Sequence, residues 1–355
     1  MKYGTILSIL LACAALAGCS DDEGASEAAP TYYSEAKAII DARCVTCHSP
    51  GNIAPFSLTT YEEVTAYETL VRTAIESGTM PPWQPDDECN TYLYNIDLTS
   101  DEKSTLLAWL DADAPLGDPA DAAEDAVETE STEFATDISL QLPEPYTPTR
   151  EPDDYRCQLI PWPAEDTRFV TGLRVIPDQN AIVHHVIVFL AGPDQVAQYQ
   201  AYDDAEEGPG YTCYGGPTGS GGAGGVLDGI DPAEVLAALE AVGITLADLQ
   251  AGNVTAEQLA ALLDELDLDM DSVGGFSSLG SWVPGAPAAP FPAGTGIKVE
   301  PGSMLVVQIH YNTNSSDPMP DQSAIEIATT DHVEREATRI RALDLGWVTD
   351  GMIGD

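Results

Sequence analysis

Apolar positions change their period part-way along the chain. From about residue 136 they come in short runs rich in β-branched and aromatic residues: Arg156–Ile160, Arg168–Ile176, Ala181–Leu190, Ser303–Tyr311, Ser323–Ala328 and Thr338–Leu345. Clusters of Pro, Gly, Asn and Asp separate the runs, a texture that predicts an antiparallel sandwich. Upstream the spacing is helical. Ser34 is positioned to cap a helix through Ala36, Ala38, Ile39 and Ile40. Thr99-Ser100-Asp101-Glu102 reads as a capping box opening a helix with Leu106, Leu107, Trp109 and Leu110. Helical spacing returns inside the β half as an insertion, residues 226–275. There Asp231-Pro232 starts one helix and Gly243 ends it, and Thr255 with Gln258 caps a second. The second carries Leu259, Leu262, Leu263 and Leu266 on one face, which is expected to pack on the sandwich.

The first residues, MKYGTILSILLACAALAGCS, combine Lys2 with an apolar stretch, Ile6–Ala17, too short to span a bilayer. This is a secretory signal, and Leu16-Ala17-Gly18-Cys19 resembles the bacterial lipoprotein processing box, in which the cysteine is lipidated. The expected product is a periplasmic or cell-surface lipoprotein of a Gram-negative-type bacterium, touching the membrane only through its anchor. Acidic residues outnumber basic ones 59 to 13, a formal charge of −46. Such a chain repels nucleic acid and anionic lipid. With 44% hydrophobic residues it is not globally disordered. The acidic stretch Asp118–Glu133 reads as a linker. The plan is a signal over 1–18, a tether over 19–31, modules over 32–117 and 136–355, and a linker over 118–135.

The first module carries Cys44-Val45-Thr46-Cys47-His48, the C-x-x-C-H signature of covalent haem attachment. Two thiols one helical turn apart reach the two vinyl groups, and the adjacent imidazole becomes an iron ligand. The competing readings are a thioredoxin-like redox pair, which lacks its βαβ context, and half of a zinc site, which lacks a second Cys pair. Met80, in Ser77-Gly78-Thr79-Met80-Pro81-Pro82-Trp83, is the candidate second axial ligand. Residues 32–117 resemble a bacterial cytochrome c domain, which implies an all-α fold and a haem c bound through Cys44, Cys47, His48 and Met80.

In the second module, His184 and His185 interrupt an apolar strand. In a regular strand they would point to opposite faces, so both serve one metal only if the strand is bulged or ends there. The alternative is one core and one surface histidine. A third histidine, His310, ends another apolar strand, and three imidazoles suit Cu or Zn. Cys89, Cys157 and Cys213 remain for an oxidising compartment, enough for one disulfide and one odd thiol.

DDYRC (153–157), VIPDQNAIVHHVIVFL (175–190), GYTCYGG (210–216), SWVPGAP (281–287) and VVQIHYNTN (306–314) together resemble the N-terminal domain of the copper type II, ascorbate-dependent monooxygenases. That family includes peptidylglycine α-hydroxylating monooxygenase and dopamine β-hydroxylase. The resemblance covers residues 150 to about 345 and implies an all-β, jelly-roll-like sandwich whose copper is held by His184, His185 and His310. It also implies a Cys157–Cys213 disulfide. The overall expectation is a multidomain protein in which an all-α cytochrome c domain precedes that sandwich and feeds electrons to its copper. The reductant would be ascorbate or a redox protein, and the copper would support C–H hydroxylation; the alternative is a non-catalytic haem–copper electron carrier. The family's second, oxygen-activating copper domain has no counterpart here, so that copper is expected from a separate protein or a missing domain. His332, in a polar loop before Gly351–Asp355 closes the chain, does not supply it.

Two further segments carry no chemistry. The Gly-rich residues 215–225 lack the Lys-Ser/Thr of a phosphate loop. Residues 267–272 imitate a calcium loop without its sixth-position Gly and twelfth-position Glu.

Overall fold

The computed structural model describes residues 29–83, 85, 95–122, 135–214, 216–218, 232–245, 248, 254–266, 277–286 and 288–338. Outside them lie the signal and Cys19, Cys89, most of the acidic linker, the Gly-rich stretch beyond residue 218, the calcium-like loop and the chain beyond residue 338. The strand expected over 338–345 therefore falls almost wholly outside the described residues.

Among the described residues, eleven strands form two sheets: β1 (Ile138–Gln141), β2 (Asp153–Pro161), β3 (Arg168–Ile176), β4 (Val183–Ala191), β5 (Tyr211–Thr212), β6 (Ser277–Trp282), β7 (Ala289–Pro290), β8 (Thr295–Val299), β9 (Met304–Asn312), β10 (Ala324–Thr330) and β11 (Arg335–Glu336). One sheet runs β1-β10-β3-β8-β11, with β7 also on β3; the other runs β5-β2-β9-β4-β6. The sheets enclose one core, to which β3 gives Val170, Leu173 and Val175, β10 gives Ile325 and Ile327, and β4 gives Val186 and Val188.

β9 is central in its sheet and buried on both faces from Met304 to Tyr311. Its odd positions, Leu305, Val307, Ile309 and Tyr311, enter the shared core. Met304 and Val306 point the other way, into a smaller cluster with Phe189, Tyr199, Tyr211 and the Cys157–Cys213 disulfide. That outer cover explains a strand buried on both faces, since a strand open to water on one face would alternate. Tyr199 comes from a helix, α5 (Val196–Asp204), laid over this face. Gly210 (φ +68°) abuts it: a Cβ there would stand 2.1 Å from the Cys157 carbonyl oxygen, so glycine alone fits.

The expected all-α cytochrome c domain ahead of an all-β sandwich is corrected. The protein is mainly β, and its N-terminal part is not an all-α domain of that kind. Among the described residues it holds α1 (Lys37–Arg43), α2 (Tyr61–Ala66), α3 (Glu68–Ser77) and α4 (Ser100–Asp111), led in by a wide helical turn, Tyr32–Ala36. No helix forms between Cys44 and Thr60, where Pro50, Gly51 and Pro55 oppose one. The short helices share a small core of Tyr32, Ile40, Val64, Leu106 and Trp109. Thr31, not Ser34, is the first N-cap; Ser34 is its reciprocal partner in a capping box. Thr99 with Glu102 caps α4 as its sequence requires.

The insertion also differs from expectation. Its helices α6 (Pro232–Ala241) and α7 (Ala256–Glu265) bury Ala238, Leu239, Ile244, Leu262 and Leu266 among themselves. Among the described residues, Leu262 and Leu266 of that face pack with Ala238 and Leu239 of α6 and are not part of the sandwich core.

Candidate metal centre

The β4–β9 ladder pairs Val183 with Tyr311 and His185 with His310, and its register shifts between the two pairs. His184 is the surplus residue. Such a bulge re-aims side chains that an unbroken strand would send to opposite faces. Here it turns both neighbours toward His310, which lies on the outer face in line with Met304 and Val306. His184 Nδ1 lies 3.3 Å from His185 Nδ1, and His185 Nδ1 lies 3.2 Å from His310 Nδ1. The three donor nitrogens fall within 4.8 Å of one another. Nitrogens each about 2 Å from one ion sit roughly 3–4 Å apart, so the spacing fits a single ion with small adjustments.

The surrounding groups orient the rings. His310 is buried at 6% exposure. Its Nε2–H donates to Asp153 Oδ1 at 2.8 Å, and Asn312 Nδ2 donates to the same oxygen at 2.8 Å. With the proton on Nε2, the Nδ1 lone pair of His310 faces the cluster. The Tyr155 ring stacks on His310, 4.1 Å between centroids and 4° from parallel. Tyr214, 61% exposed, meets Tyr155 edge-on at 4.9 Å. Asp153 and Tyr155 share a face of β2 because Asp153 pairs with Asn312 and Tyr155 with His310.

Electrostatics keep the cluster ready for a cation. Burial, then the neighbouring His310 and His184, hold His185 down to about 4. Burial and His310 also lower His184. Hydrogen bonds from Asn312 and His310 hold the Asp153 carboxyl below its usual range. The Nδ1 atoms lie at hydrogen-bond distance from one another, so a proton or a cation between them holds the rings together. Three nitrogens with no carboxylate ligand suit Cu or Zn. This is the group of histidines, cysteines and acids that could hold an ion among the described residues.

In the helical part, Cys44 caps α1, and Cys47 and His48 complete a turn in which the His48 N–H donates to the Cys44 carbonyl at 2.9 Å. Neither thiol is in a disulfide. Burial pushes the Cys44 thiol up to about 12 and raises Cys47 as well. A thiol redox pair needs the opposite shift. His48 Nδ1–H donates to the Phe56 carbonyl at 3.0 Å, leaving Nε2 as its free lone pair. These groups fit covalent haem attachment. Met80 stands 45% exposed just beyond Gly78, the left-handed C-cap of α3.

Cys157 and Cys213 form a disulfide, with Cα atoms 5.9 Å apart. His332 is exposed, in the loop before β11. Sequence reasoning missed Asp153, Tyr155 and Tyr214 as neighbours of the histidines, although DDYRC and GYTCYGG contain them. No family model matches the chain, and no curated protein matches it. Among the described residues, no helix is long and apolar enough to cross a membrane.

Proposed function

We propose that the protein is an exported one-electron redox protein with two centres, a copper ion at His184, His185 and His310 and a haem c on Cys44 and Cys47. The observation that carries this reading is the β4 bulge, which gathers three imidazole Nδ1 atoms on one face of a sheet. Copper bound there supplies one-electron chemistry at a surface site, since His184 is exposed. Haem on the C-x-x-C-H loop supplies a second one-electron site. The protein's own residues supply position: Asp153 fixes the His310 tautomer, the Phe56 carbonyl fixes His48, and Tyr155 covers His310. Met80 is the proposed second axial ligand. The disulfide supports export to an oxidising compartment. Anchoring through Cys19 belongs to the same proposal.

Metal analysis and a pyridine haemochrome spectrum test both centres. Wild type should hold one copper and show c-type bands, and His310→Ala should lose copper while keeping haem. Copper held equally by His310→Ala would remove the first assignment, and missing c-type bands the second. A second reading, that the copper supports C–H hydroxylation, is favoured by the resemblance of the His-His and Gln-Ile-His-Tyr segments to the monooxygenases. Reductant-dependent oxygen uptake with a C–H substrate separates it from electron transfer alone.

A further inference from the structure

The loop between the haem-attachment cysteines meets the sandwich. A Cβ on Gly285 would stand 3.1 Å from Thr46 Cγ2. Gly285 belongs to a tight turn closed by the Ala286 N–H donating to the Val283 carbonyl at 2.9 Å, and its φ of +84° favours glycine.

This turn has a defined place. It follows β6, whose Trp282 pairs with Val186, the residue after His185. The turn therefore leaves the second sheet at its histidine end. Trp282 packs against the sandwich core, which anchors the turn. Gly285 is three residues beyond Trp282, so chain reach and strand spacing keep its Cα within about 20 Å of that of His185.

Both partners also lack charge. In a chain of formal charge −46, residues 44–61 and residues 272–297 contain no Asp, Glu, Lys or Arg. Two acidic surfaces would repel on approach, whereas two uncharged loops meet without that cost. Both Thr46 and Gly285 keep much of their exposure, so the contact is small and of the kind that docks and releases.

We propose that the turn Val283–Ala286 is the seat on which the Cys44–His48 loop docks, holding the haem-attachment peptide against the histidine end of the second sheet. The seat's role in bringing two redox centres together rests on the function proposed above; the docking itself does not.

Two experiments on the full chain test it. The first replaces Val283, half exposed at the rim of the seat, with the photoreactive p-benzoylphenylalanine. Irradiation should give an intramolecular cross-link to residues 44–50, reduced at least fivefold by Thr46→Trp, which fills the contact without removing a cysteine or histidine. A cross-link mapping elsewhere, or one indifferent to Thr46→Trp, overturns the docking. The second uses protein carrying both haem and copper: after flash photoreduction of the haem, electron transfer to copper should slow at least tenfold in Thr46→Trp, with haem and copper content unchanged. An unchanged rate overturns the seat's role in coupling the centres. Wild type that takes up no haem or no copper fails the functional reading instead, which analysis of the purified protein reveals before any rate is measured, and the cross-link still decides the docking.

Discussion

His185 lies opposite His310 in the β4–β9 ladder with their Nδ1 atoms 3.2 Å apart, and His184 is the residue that the ladder skips. The clustering of the three histidines is thus a property of one register shift. A straight β4 would leave one of the two neighbouring rings on the far face of the sheet.

Asp153 should matter nearly as much as a ligand. It accepts the Nε2–H of His310 and so sets the tautomer that turns the Nδ1 lone pair to the histidine cluster. Asp153→Asn should weaken copper binding by about 10- to 100-fold, the usual effect of losing such a partner. Asn312→Ala, which removes the other hydrogen bond to that carboxylate, should act in the same direction and less. Competition with a chromophoric chelator measures both; affinity equal to wild type in Asp153→Asn would dismiss this role.

Acid should destabilise the metal-free protein through the same cluster. His185 is held down to about 4 in the fold, against about 6.5 for an unperturbed imidazole. Between those values the unfolded chain binds more protons than the folded one, so stability falls as pH drops from about 6.5 towards 4. Thermal melts of metal-free protein across that range should show the decline, and His185→Gln should flatten it.

The disulfide should be a major staple. Cys157 and Cys213 are 56 residues apart in sequence and tie β2 to the strand β5 segment over the outer face of β9. Closing a loop of that length is worth about 4 kcal/mol in the chain-entropy account. The double variant Cys157→Ser/Cys213→Ser should lose stability of that order in denaturant titration. It should also loosen Gln308, whose side-chain amide donates to the Cys213 carbonyl at 2.9 Å.

Haem attachment gives a spectroscopic prediction. Cys44→Ser and Cys47→Ser should each shift the pyridine haemochrome bands away from the two-thioether position, since each removes one thioether. Met80→Ala should abolish the sulfur-to-iron charge-transfer band while leaving haem attached. A band that survives would assign the second axial position to another residue.

Much of this protein is legible along the chain because local rules govern it. Period-two runs locate β3 and bring β2, β4, β9 and β10 to within a few residues, and the Thr99–Glu102 and Thr255–Gln258 pairs mark where α4 and α7 begin. The three histidines stand out because apolar strands seldom carry imidazole. Short pairs such as β5, β7 and β11 are not legible, since two residues have no period and exist as strands only through their partners. The self-packing of α6 and α7 was equally hidden: an apolar stripe states that it will be covered, and not by what.

The sequence by itself determined which segments could become strands or short helices, where helices begin, and which side chains are the candidates for metal and haem binding. These follow from backbone sterics, capping and side-chain type, all local. Only the tertiary structure decided that His184 is a bulge, that Asp153 reaches His310, and that Thr46 lies close to Gly285. Each of these depends on the register or contact of segments distant in the chain, and it is the burial of whole sheet faces, summed over many residues, that selects a register.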